Sequence, residues 1–96
     1  MLDLYLSPLA EQDLAKIYEY TFNQWGVDQA DKYQDELFHG MGLILDNPDI
    51  GKPYPHFEKP YRKLHINRHL LFYKTEGNQY IIMRILHDRM DTRAQL

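Results

Sequence analysis

The residues with the most chemical potential stand near the end of the chain. There "ILHDRMD" (85–91) runs from an apolar stretch into His87, Asp88, Arg89, Met90 and Asp91. Such a cluster could bind a metal, move protons or form ion pairs. His87, Asp88 and Asp91 could meet at one ion, but an isolated His-Asp-x-x-Asp is a weak ligand pattern. Neither His-Glu-x-x-His nor another metal-binding spacing occurs. There is no cysteine, which removes disulfides and thiolate zinc sites. Ser7 is the only serine and reads as a helix cap, while Thr21, Thr75 and Thr92 have no base beside them in the sequence. Covalent acyl chemistry therefore lacks a nucleophile. The glycines of "GMG" and "DIG" lack the strand–loop–helix setting and Lys-Ser/Thr ending of a phosphate loop. No metal or cofactor is expected.

Basic residues on strands are the remaining candidates. In a pleated strand Arg62 and Leu64 share one face, and Lys63 and His65 the other. By the same alternation Arg84 goes with Ile82 and Leu86, and Met83 with Ile85 and His87. A sheet face presenting Arg and Lys beside Tyr and His suits a metal-free ribonuclease, in which cations stabilise phosphate charge and His or Tyr moves protons. It equally suits an ordinary solvated face, and the residues alone leave both readings open.

The elements that must position these groups are legible from pattern. "LDLYL" (2–6) alternates leucines with Asp3 and Tyr5, as a half-buried strand does. Ser7 and Pro8 fit the N-cap and first turn of a helix. Its apolar stripe includes Leu14, Ile17, Tyr18 and Trp25, and Gly26 ends it. Asp28 reads as the N-cap of a second helix that runs to "DNP" (46–48), with Gly40 and Gly42 inside it as marks of close packing or weak spots. "NPDIGKPYPHFEKP" (47–60), with four prolines and His56, reads as a loop. Strands follow at 61–66, 69–75 and 79–87, joined by tight turns at Asn67-Arg68 and "EGN" (76–78). These elements predict an α+β domain: an N-terminal strand, a helical hairpin, then a three-stranded antiparallel meander, with the helices on one face of a four-stranded sheet. Pattern does not say which later strand the first one joins. Residues 88–96 are polar and are expected to leave the sheet without contributing to core closure.

The chain has 96 residues, enough for one domain, 1–96. The opening "MLDLYLSP" lacks a basic, then apolar, leader and no apolar run is long enough to span a membrane, so a cytoplasmic location is expected. Net charge is -3 but uneven. Residues 1–60 hold 4 Lys/Arg and 11 Asp/Glu, whereas residues 61–96 hold 7 Lys/Arg and 3 Asp/Glu. An anionic partner is thus expected on the last third, while overall acidity argues against tight nonspecific nucleic-acid binding.

Five segments in order carry a family resemblance: "LSPLAEQDLAKIYEYTFNQWG" (6–26), "QADKYQDEL" (29–37), "NPDIGKP" (47–53), "YRKLHINRHLLFYK" (61–74) and "IIMRILHDRMD" (81–91). Across nearly its whole length the chain resembles ParE-type toxins of the RelE/ParE superfamily of type II toxin–antitoxin systems. The resemblance implies the fold predicted above and a cognate, ParD-like antitoxin whose C-terminal segment wraps the toxin as helix and strand. Its expected contacts on this chain are Ile17, Tyr18, Trp25, Arg62 and Arg84. DNA would be met only through the antitoxin or the target. ParE-like members inhibit DNA gyrase and block replication without established hydrolytic chemistry, whereas RelE-like members cut messenger RNA on the ribosome. The acidic charge, the "H-x-R-M-D" ending and the absence of tyrosine from 87–96 favour a gyrase poison. The alternatives are a RelE-type ribonuclease and a non-toxic antitoxin-binding member. On the ParE reading His87, Arg89, Met90, Asp91 and Arg93 form the root of a target-binding tail, and no residue is assigned as catalytic.

Overall fold

The computed structural model describes residues 3–56 and 59–96. Leu2, Phe57 and Glu58, which the predicted strand and loop included, lie outside the described residues. The elements run β1 (Asp3–Leu6), α1 (Pro8–Trp25), α2 (Val27–Asp46), β2 (Lys52–His56), β3 (Lys59–Ile66), β4 (His69–Glu76), β5 (Gln79–His87) and α3 (Thr92–Gln95). The sheet order is β1-β5-β4-β3-β2. Strand β1 joins β5 in parallel, and every other pairing is antiparallel.

The first helix starts as its sequence dictates. Ser7 Oγ accepts the Ala10 N–H at 3.0 Å and donates to the Met83 carbonyl at 2.7 Å, so one hydroxyl caps α1 and fixes it to β5. Gly26 has φ 89 and ψ -179, a conformation nearly reserved for glycine. It links the two helices alone. Its N–H donates to the Phe22 carbonyl at 2.8 Å and its carbonyl accepts the Ala30 N–H at 3.1 Å. Gly26 is therefore the N-cap of α2, and the expected cap Asp28 is displaced into the first turn because a one-residue connection leaves no room for another. There its carboxylate still faces the positive end of the helix dipole.

The predicted loop at 47–60 is corrected: Lys52–His56 forms a fifth strand on the edge of the sheet, paired with β3 from Lys52↔Lys63 to His56↔Lys59. Prolines 53 and 55 hid it, since proline lacks the N–H of a ladder. An edge strand tolerates that loss where the missing N–H would face outward.

Strand β5 also departs from simple alternation. Tyr73 pairs with Ile82 but its neighbour Phe72 pairs with Arg84, so Met83 is an extra residue, a β-bulge. The bulge puts Ile82 and Ile85 in the same core cluster, where strict alternation had set them on opposite faces. It falls just beyond Leu6, the last β1 residue paired with β5. Past it α1 takes over the open edge, and Asp13 Oδ2 accepts the Ile85 N–H at 3.0 Å.

The main core lies between the helical hairpin and the sheet, with Ala10, Leu37, Ile44, Leu71, Tyr73 and Ile82 at its centre. The opposite sheet face is covered as well. Phe72 and Leu86, 0% and 2% exposed, lie on it, with Tyr54 packed 5.2 Å from Phe72 between ring centroids. The C-terminal segment returns across this face: Thr92 bonds the Tyr54 hydroxyl at 3.0 Å, and the Gln95 carbonyl accepts from Arg84 Nη1 at 3.0 Å. The expectation that residues 88–96 contribute nothing to closure is therefore corrected. Two covered faces also explain why three successive residues of β4, Leu71, Phe72 and Tyr73, are all buried.

The two helical glycines separate cleanly. A Cβ at Gly40 would lie 2.6 Å from Ile66 Cγ1, so the glycine lets α2 approach β3; a Cβ at Gly42 would meet nothing within 4 Å. Gly40→Ala is expected to destabilise by about 1–3 kcal/mol through overpacking. Gly42→Ala should stabilise by about 1 kcal/mol through helix propensity. Urea unfolding of both variants measures this, and a stabilised Gly40→Ala would show that close approach does not govern position 40.

Candidate functional site

A groove of about 800 Å³ opens between α1, the start of α2 and the β4–β5 end of the sheet. Helix α1 contributes Lys16, Ile17, Tyr20 and Trp25. Ile17 also packs against the core, so it anchors this wall. Trp25 and Tyr20 are 65% and 61% exposed and meet edge to face with centroids 6.2 Å apart. Two adjoining aromatic rings this open to solvent suit a surface that a partner covers.

Polar groups converge where the sheet meets the groove. His69 and His87 are directly paired across β4 and β5, with ring centroids 5.3 Å apart. The Tyr33 hydroxyl accepts the Arg68 N–H at 3.3 Å and hydrogen-bonds His69 Nδ1. Burial, reinforced by the neighbouring His87, lowers the His69 pKa to about 4, so its ring is neutral near pH 7. Burial likewise raises the pKa of Tyr33, which stays a hydroxyl.

His87 Nδ1 accepts the Arg89 N–H at 3.1 Å. Asp88 Oδ1 lies 3.3 Å from that same nitrogen, close enough for an ion pair by distance, yet Oδ1 is buried without a hydrogen-bond partner among the described residues. Both observations agree if Nδ1 is an acceptor, for then two lone pairs face each other and no hydrogen bond forms. The other carboxylate oxygen, Oδ2, lies 3.3 Å from His65 Nε2 and 3.7 Å from Arg68 Nε. Asp88 thus holds the turn from β5 against the β3–β4 turn, supported by its N–H donating to the Arg68 carbonyl at 2.9 Å.

The structure regroups the residues expected from sequence. Ile17, Trp25 and His87 meet at the groove, although His87 was assigned with the tail. Tyr18 instead donates to Asp31 at 2.7 Å, joining α1 to α2; this bond to a carboxylate raises the Tyr18 pKa. Arg62 donates to the Gly51 carbonyl at 2.7 Å and pairs with Asp49, towards the β2 edge of the sheet. Arg84 makes a bidentate pair with Asp13, which raises its pKa and engages the guanidinium inside the fold. Arg89, Met90, Asp91 and Arg93 are exposed around the turn that leads into α3. Neither arginine has a carboxylate partner among the described residues.

Sequence reasoning missed Lys16, Tyr20, Tyr33, Arg68 and His69. Tyr20 lies three residues after Ile17 on α1, a spacing that could have drawn attention to it. The others come from separate elements and carry no common local signal. Among the described residues no group of three or more His, Asp or Glu is placed to hold a metal, and no helix is long and apolar enough to cross a membrane.

A helical hairpin on one face of a mixed sheet, with an open aromatic groove at the hairpin's side, defines a small α+β domain. The family model for the ParE toxin of the type II toxin–antitoxin system matches residues 4–92, and the chain belongs to that family. It is 41% identical over 92 residues to Toxin ParE1 of Mycobacterium tuberculosis, covering 95% of this chain and 94% of that one. It is 36% identical over 91 residues to Toxin ParE1 of Caulobacter vibrioides, again covering 95% and 94%. A solved structure of a chromosomal ParDE system from P. aeruginosa shares the fold, with a TM-score of 0.78 at 20% identity over 91% of this chain and 96% of that one.

Proposed function

We propose that this ParE-family toxin is held inactive by a cognate antitoxin seated in the Trp25–Tyr20 groove, and that the freed toxin acts on DNA gyrase. The observation that carries the antitoxin half is the exposed aromatic pair beside convergent donors: the surface is apolar, open and already shaped. Family membership supports the target half, together with a cationic turn in which Arg89 and Arg93 remain available to a second protein.

Purified toxin should inhibit supercoiling by gyrase and accumulate cleaved-DNA complexes. The double variant Arg89→Ala/Arg93→Ala should need about tenfold more protein for the same inhibition, equivalent to about 1.4 kcal/mol of binding. Its antitoxin affinity and melting temperature should be unchanged. Full supercoiling activity in excess folded toxin would refute gyrase as the target.

One observation favours a second reading, messenger-RNA cleavage: His69, His87 and Arg68 line the same groove as Lys16. That reading requires cuts in a translation extract that disappear when the histidines are replaced.

A further inference from the structure

We propose that the His69–His87 pair is a carboxylate-binding subsite, and that its occupant is an aspartate or glutamate side chain within an amphipathic segment of the antitoxin. This rests on the antitoxin-groove reading above and adds the chemistry by which the groove selects its ligand.

The hydrogen-bond network sets the two rings. The Tyr33 hydroxyl accepts from Arg68 and, among the described residues, has His69 Nδ1 as the one acceptor for its own proton, so we assign Tyr33 as the donor in that bond. His87 Nδ1 accepts from Arg89. With both Nδ1 atoms used as acceptors, the ring proton of each histidine lies on Nε2. Neither Nε2 has a protein acceptor among the described residues, and neither is a buried atom without a partner. Both N–H groups are therefore accessible to solvent, from rings that line the groove.

Two adjacent donors with no acceptor call for an acceptor with two oxygens. The local charge selects its sign. Lys16 and Arg68 line the groove and no Asp or Glu does; Asp88 lies behind the lining, paired with Arg68, which leaves Lys16 as the cation without a carboxylate partner among the described residues. A second depression, of about 630 Å³ along α2, has the opposite balance: Asp28, Asp31, Asp35 and Glu36 line it against the single cation Lys32. An acidic segment would be repelled there and accepted beside the histidines. The neighbouring Trp25 and Tyr20 rings require that the same segment carry an apolar side chain, which distinguishes it from a free anion.

The test is titration calorimetry of the full-length toxin with its cognate antitoxin. His69→Phe and His87→Phe keep a ring and remove the donor; His69→Asn keeps a donor and provides a second variant should the phenylalanines unfold the chain. Circular dichroism checks folding. The paired Phe substitutions should weaken binding about tenfold or more, as expected for hydrogen bonds to a charged group. His69→Asn should retain more affinity than His69→Phe. Each antitoxin Asp or Glu is then changed to its amide. One such change should weaken binding to the wild-type toxin by a similar factor and have little further effect on the paired variant. If Trp25→Ala weakens binding but no carboxylate couples to the histidines, the subsite is overturned and the groove reading stands. If Trp25→Ala and the histidine variants all bind like wild type, the groove reading itself fails and the subsite with it.

Discussion

Asp13→Ala is expected to destabilise the protein by about 3 kcal/mol, the lower end of the range for removing one partner from a buried ion pair, because this pair is part-buried. The Asp13 and Arg84 side chains are only 11% and 16% exposed. One carboxylate accepts from Arg84 Nε at 2.7 Å, from Arg84 Nη2 at 3.0 Å and from the Ile85 N–H at 3.0 Å. Alanine leaves a shielded guanidinium without its counter-charge and a strand N–H without an acceptor. Asp13→Asn should lose less, because an amide oxygen can still serve Ile85. Replacing both partners by apolar residues of similar volume should be milder than Asp13→Ala alone. Chemical unfolding of the four proteins decides this. A loss under about 1 kcal/mol for Asp13→Ala would show that the pair does not hold α1 to β5.

Ending the chain at His87 is the second large effect. It removes the Thr92 bond to Tyr54 and the Gln95 bond to Arg84, and so loosens Tyr54, which packs on the buried Phe72. Exposing such a side chain costs about 1.5–3 kcal/mol. The melting temperature should fall by more than about 10 °C, since each kcal/mol shifts a domain of this size by about 4–8 °C. Toxicity and antitoxin binding should consequently be lost together. Point substitution at Arg89 and Arg93 separates target binding from folding, which truncation does not. A truncated chain melting within about 2 °C of the intact one would show that the tail is dispensable to the fold.

The contrast between those two experiments follows from what was legible in the sequence. Local chemistry was clear: Ser7-Pro8 and Gly26 delimit α1, and the leucines and isoleucines of 61–87 announce a meander. Edge strand β2 was concealed because its prolines are breakers in most strands and are tolerated in this one by position alone. The Met83 bulge has no sequence mark, yet it reverses which face each later residue of β5 occupies. The Asp13–Arg84 pair joins residues 71 positions apart, and the groove draws on both helices and two strands. Side-chain type could nominate Trp25 and His87 for function. Only the assembled chain puts His87 opposite His69 while its Nδ1 stays bonded to the exposed turn at Arg89.

The prolines of β2 have a bearing on how this molecule can associate. An edge strand ordinarily offers a row of donors and acceptors to which any extended peptide can add itself. Prolines at positions 53 and 55 leave this strand two N–H groups short. On the opposite margin β1 has four residues among those described, and helix α1 succeeds it. Lateral growth of the sheet by further copies is thus discouraged on both sides. The chain can keep an aromatic groove open without providing a template for fibrils, and a strand contributed by a partner is steered away from a regular ladder along β2.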